Sequence, residues 1–161
     1  MAVDMFIKIE GVDGEAQDHA HKGEIDVLAW SWGMSQSGTM HIGGGGGGGK
    51  VAVQDISLTK YIDKSSNLLQ KYCCDGTQVK EAEITVRKAG KKPLEYIKLK
   101  MKDVIVTSVS TGGSGGEDRL TENVTLNFAG FEYKYQAQKP DGSADGGTRD
   151  FNFDIAANEV K

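Results

Sequence analysis

The sequence predicts a mainly β protein: a small closed β-barrel of two packed antiparallel sheets, with one short flanking α-helix at about residues 65–75 and an extended glycine-rich loop. Three observations carry this. Apolar and polar residues alternate with period two along most of the chain, the gaps hold glycine-rich turns, and a single segment has helical spacing. At 161 residues the chain suits one domain over 1–161, large enough for a single core. Closure into a barrel is expected because it removes open strand edges.

The alternating segments are 5–10, 24–32, 39–42, 51–59, 79–88, 94–101, 104–111, 120–128, 131–138 and 148–155. Segment 24–32 is apolar on both faces, with Ile25, Val27 and Ala29 on one and Leu28, Trp30 and Trp32 on the other. It is therefore expected to be central, or covered by a second chain. In 94–101, Ile97, Leu99 and Met101 point one way while Lys98 and Lys100 point the other, so that strand has a wet outer face. In 120–128 the face opposite Val124, Leu126 and Phe128 is neutral and polar, which suits an interface or a water-filled bore. Turns are expected at 11–14, 91–93, 112–116 and 140–147. In the helix, Leu68, Leu69, Tyr72 and Cys73 recur at helical spacing, with Ser65 or Ser66 as N-cap and Gly76 as the left-handed terminator. The neighbours Cys73 and Cys74 read as two reduced thiols, because a bridge between adjacent residues is strained.

Charge and motifs exclude most chemistry. Lys and Arg number 19 against 23 Asp and Glu, so no excess cation is available for a phosphate backbone and nucleic acid is not an expected partner. No apolar run approaches the roughly 18 residues of a membrane span, and the first residues lack the basic start and apolar run of a signal peptide. The chain is thus expected to start in the cytosol and not to insert in a membrane. Residues 43–49 are all glycine and precede Lys50, which formally meets a phosphate-loop string, but Val51 follows where Ser or Thr is needed and opens a strand. His19 and His21, with Asp18 beside them, lack further ligands and read as a solvated loop pair, and His41 stands apart. Ser31 in W-S-W-G and Ser114 in G-S-G-G are not nucleophile elbows. No catalytic residue, metal or cofactor is expected, and the chain does not read as an enzyme.

Five strings, in order along nearly the whole chain, resemble the haemolysin-coregulated protein (Hcp) family, the tube subunit of type VI secretion. They are EIDVLAWSWG at 24–33, GKV with VQD at 49–55, TKYIDKS at 59–65, RKAG at 87–90 and SVSTGGSGGEDRLTENV at 108–124. The resemblance implies a barrel that forms hexameric rings. These rings stack into a hollow tube inside a sheath behind a spike, leave through the apparatus itself, and carry small effector proteins in the lumen. It implies no toxin domain after the barrel, since the chain stops just beyond its last strand. It makes Ser31 a lumen residue. It also matches the family's extended loop, which reaches a neighbouring subunit or ring, to residues 36–50, with Gln36, Met40, His41, Gly43, Gly46, Gly49 and Lys50 as contacts. Ordering seven glycines costs about 10 kcal/mol at 1 to 2 per residue, so this loop is expected to be mobile in a free ring.

A closed ring needs two complementary patches per subunit. They are expected on 24–32, through Trp30 and Trp32, and on 108–123, through Ser110, Arg119 and Glu122. Two rival readings remain. One is a phage-tail tube protein of the same architecture. The other is a monomeric carbohydrate-binding sandwich that uses Trp30 and Trp32 as a stacking platform.

Overall fold

A computed structural model describes residues 3–88, 90 and 92–161. Ala89, in the RKAG string, and Lys91, in an expected turn, lie outside the described residues. The elements run β1 (Val3–Ile9), β2 (Ile25–Ser31), β3 (Met34–Ser35), β4 (Ala52–Val53), β5 (Ile56–Tyr61), α1 (Ser66–Asp75), β6 (Gln78–Lys88), β7 (Glu95–Thr111), β8 (Thr121–Tyr135), β9 (Arg149–Asp154) and β10 (Glu159–Val160). Six of them close an antiparallel barrel in the order β8, β5, β2, β1, β6, β7, with β7 pairing back onto β8. Strand β9 adds to the second half of β8, and β10 adds to β9. No helix among the described residues is long and apolar enough to cross a membrane.

The expected β-barrel with one helix is present, but several strand boundaries differ. Segments 94–101 and 104–111 form the single strand β7, and 120–128 and 131–138 form the single strand β8. The reason is a local change of parity. The inward residues jump by three at Val79/Ala82, Met101/Val104 and Phe128/Phe131, and these positions lie in register, Val79 opposite Val104 opposite Phe128 and Ala82 opposite Met101 opposite Phe131. Three strands therefore change inward parity along one line while the ladder stays paired. Asp103 sits on that line with a left-handed φ of 54°, which turns the strand without ending it.

Segment 24–32 also departs from simple alternation. A bulge between Val27 and Ala29 leaves Leu28 as the extra residue, so that Trp30 comes opposite the buried Leu58. Ile25, Val27, Trp30 and Trp32 thus all turn to the core, and Leu28 is left exposed. Trp32 packs edge-on to Phe131 at 4.8 Å and donates through Nε1 to the Gln54 carbonyl at 3.0 Å. Both tryptophans pack against the core, which argues against the stacking platform of a carbohydrate module.

Segment 51–59 splits into β4 and β5, and 39–42 is not a strand. Residues 39–42 form the turn of a separate hairpin built on β3 and β4: Thr39 N–H donates to the Gly47 carbonyl at 3.0 Å, and Ile42 N–H donates to that of Thr39. Gly38 bridges Gly48 above it.

Helix α1 packs on β7 through the fully buried Leu69, a contribution of about 2 kcal/mol. Gly76 closes it at φ 70°, as expected, and donates to the Tyr72 carbonyl. Neither serine caps the helix: Ser65 bonds Asp63, and Ser66 turns its hydroxyl inward to Glu122 at 2.7 Å. There it meets Lys60, which is fully buried. The Lys60 ammonium pairs with Glu122, lies 3.2 Å from Asp63 and donates to Ser66 at 3.3 Å. Lys60 and Glu122 are opposite one another on β5 and β8, both facing inward.

The segment between β1 and β2 folds back as a strap over the outer side of β1, burying Phe6. Its histidines are not the expected solvated pair. His19 is exposed, but His21 is buried and stacks on Phe6 at 4.5 Å. The His21 ring nitrogens lie 2.8 Å from Glu24 and 2.6 Å from Glu95, while Arg87 holds Asp18 of the same strap. Gly14 is obligatory here, since a Cβ would sit 2.4 Å from the Glu24 carbonyl oxygen.

Burial opposes charge on His21, but the hydrogen bonds that its ring donates to Glu95 and Glu24 outweigh it and raise its pKa above the ordinary value. Burial acts to raise the pKa of Glu95, yet His21 and Lys98 outweigh it and lower it. A raised histidine contributes stability below its unfolded pKa and loses it as pH rises through the folded value; a lowered carboxylate contributes above its unfolded pKa and loses it as pH falls through the folded value. The strap is therefore held most firmly between about pH 4.5 and 6.5. We expect the urea midpoint of the wild type to fall on the alkaline side of this window and that of His21→Gln to be flat there. A second expectation concerns the interior: Lys60→Met alone should cost about 3 to 5 kcal/mol by urea denaturation, and the double change Lys60→Met with Glu122→Leu should cost less, because it leaves no unpaired buried charge.

Candidate functional site

Pleating places alternate residues of β2, β5, β8 and the last third of β7 on the outside of the barrel. The bulge at Leu28 puts Ala29 and Ser31 on this outer face, and a second bulge, between Val106 and Ser108, does the same for Ser108 and Ser110. The ladders then assemble a grid. One row runs Ala29, Thr59, Asn123, Ser110; the next runs Ser31, Ser57, Thr125, Ser108. Asp55, Asn127 and Thr107 close the third edge.

The grid is a shallow surface of hydroxyls and amides whose side chains hydrogen-bond one another. Thr59 donates to Asn123 at 2.8 Å, Asn127 donates to Asp55 at 2.7 Å, and Thr107 donates to Asp55 at 2.9 Å. Thr125 lies 2.6 Å from Thr107 and 2.7 Å from Ser108. Asp55 is the one charged side chain of the grid. At its far end Arg119 covers the ring of Tyr61 at 3.7 Å, and burial raises the pKa of nearby Asp26 against the pull of Arg119.

The outer wall formed by β1, β6, β7 and β8 is the opposite in character. One row across it reads Lys8, Glu83, Lys100, Glu132, alternating in sign from strand to strand. The same barrel thus has one outward face of alternating charges and one that is nearly neutral.

The sequence-derived candidates fall in four places. Ser31 lies in the middle row of the grid, and Ser110 stands exposed at its edge. Gln36, Met40, His41, Gly43, Gly46, Gly49 and Lys50 all lie on the hairpin, exposed, and Met40 and Ile42 show 79% and 53% of their surface. Arg119 is exposed beside Tyr61. Glu122 is buried and committed to Lys60 and Ser66 inside its own chain, while Trp30 and Trp32 are half-buried and pack on the core with part of their surface left open. The sequence points to Ser31 by family resemblance, to Ser110 as an interface position and to a neutral face on β8, but nothing in it joins Ser57, Thr59, Thr107 and Asp55 to them. Hydroxyls on four strands become one surface only through register, and two bulges set that register.

Comparison with known proteins agrees with this architecture. The family described as "Type VI secretion system effector, Hcp" matches residues 6–135. Protein hcp1 of Pseudomonas aeruginosa is 61% identical over 159 residues, which is 98% of each chain. Among solved structures, Hcp1 from Salmonella typhimurium superposes with a TM-score of 0.84 at 41% identity over all of both chains. A structure described as a type six secretion system protein superposes at 0.93 with 29% identity, covering 99% of this chain and 100% of that one.

Proposed function

The chain belongs to the Hcp family of type VI secretion, and on that premise we propose that it is a tube subunit whose hydroxyl grid lines the bore of a hexameric ring. The observation that carries this reading is the contrast between the two outward faces. A surface that must hold and release varied protein cargo does best with small, uncharged groups, because a desolvated charge costs energy whenever its partner is missing. Apart from Asp55 at its edge, the grid has that composition, and the wall of alternating charges suits the outside of a tube.

Ring closure joins two different patches of each subunit, and each contact should bury about 800 Å² per partner. Leu28, Tyr135 and Phe151 supply exposed apolar surface on the barrel, and the hairpin tip supplies Met40 and Ile42 for a neighbouring subunit or the next ring. The chain is one barrel domain that acts by containment. No bond is made or broken, and no cofactor takes part. Its partners are further copies of itself, the sheath and spike of the apparatus, and small effectors in the bore. It works from the cytosol and leaves through the apparatus. The phage-tail tube reading shares this architecture and differs in what the rings assemble around.

Light scattering of the purified chain should give about six times the 17.3 kDa of one copy. A persistent monomer at every concentration would rule the reading out. Ser31→Gln places a longer side chain in the middle of the grid, and should leave ring mass and melting temperature unchanged while lowering effector retention about tenfold or more in co-purification. Unchanged retention in intact rings would remove Ser31 and its row from the cargo surface.

A further inference from the structure

Asp55 orders the hydroxyls around it. A carboxylate has lone pairs and no hydrogen to give, so the short contacts to Asp55 must be donated by Asn127 Nδ2 and Thr107 Oγ1. A threonine hydroxyl carries one hydrogen, and that of Thr107 is now committed. The 2.6 Å contact between Thr107 and Thr125 therefore takes its hydrogen from Thr125. By the same step the 2.7 Å contact between Thr125 and Ser108 takes its hydrogen from Ser108.

Three consecutive hydroxyl hydrogens thus run toward one carboxylate, from Ser108 to Thr125 to Thr107 to Asp55. What remains available to a visitor on this edge is chiefly lone pairs, those of Ser108, the carbonyl oxygen of Asn127 and the unfilled positions on Asp55, against one donor, the second Nδ2 hydrogen of Asn127. We propose that Asp55 makes this edge of the grid a hydrogen-bond acceptor surface, which holds cargo through donors: arginine and lysine side chains and exposed N–H groups. The effect is graded across the grid. At the opposite row Thr59 donates to the Asn123 oxygen, which leaves the Asn123 amino group as a donor. Repeated around a ring, the Asp55 edges form one band of acceptors at a single level of the bore. This inference rests on the bore reading for its location, but the polarity of the hydroxyl chain follows from the subunit alone.

The test uses assembled rings of the full chain and two fluorescent ten-residue peptides in a Gly/Ser background, one with four arginines and one with four glutamates. Anisotropy should show the arginine peptide bound about fivefold or more tightly than the glutamate peptide. Asp55→Asn, which can donate to Thr107 and reverse the chain, should bring the two within about twofold. Glu132→Gln, which removes the same charge from the outer wall, should keep the full preference. An undiminished preference in Asp55→Asn, or an equal loss in Glu132→Gln, overturns the proposal. Should Asp55→Asn fail to assemble, Asp55→Ser, which removes the carboxylate from the same position, must also narrow the preference. Ser31→Gln separates the two readings. If it abolishes peptide binding while Asp55→Asn behaves as wild type, the bore location stands and the acceptor surface falls. If it changes nothing while Asp55→Asn loses the preference, the acceptor surface stands and the bore location falls.

Discussion

The structure depends on one constraint: three neighbouring strands must change inward parity along the same line. Val79, Val104 and Phe128 lie on one side of it, and Ala82, Met101 and Phe131 on the other. Had one strand alone skipped a residue, every side chain beyond that point would have faced the wrong way, because the pleat repeats every two residues. Shared skipping keeps both halves of the long β7 and β8 packed inward while the sheet turns. That turn lets one strand serve two neighbours, β5 and β9, on the same edge of β8.

This line also explains what was legible in the sequence. Period-two alternation identified the β class, the closed barrel and the lysine-studded outer face of β7. It split β7 at Met101/Val104 and β8 at Phe128/Phe131, because a local reading cannot distinguish a strand end from a parity change that neighbours share. Leu28 misled in the same manner: one extra residue exchanged the faces of the two tryptophans. Histidine and lysine were opaque for a different reason. Nothing adjacent to His21 or Lys60 announces Glu95, 74 residues away, or Glu122, 62 residues away, and these partners decide that both side chains are buried.

The grid is built by the same devices. None of its residues is unusual alone, and serines and threonines on strands ordinarily signify solvated faces. Bulges at Leu28 and Thr107 bring four strands into rows, and Asp55 then fixes the direction of their hydrogens. Beneath the far end, Lys60 and Glu122 tie β5 to β8 and hold helix α1 through Ser66. A buried ion pair of this type adds little net energy but penalises any other register strongly. Precise rows on the outside thus rest on an intolerant pairing on the inside.

Among the described residues the hairpin between β3 and β4 shares no ladder with the barrel, and backbone bonds through Gly38, Thr39, Gly47 and Gly48 define its shape. Its tip is consequently a natural seam in the chain. A protease cut there would leave two fragments still joined by the β2 and β5 pairing and by the common core. The same seam would let the barrel be supplied as two separately expressed pieces that reassemble.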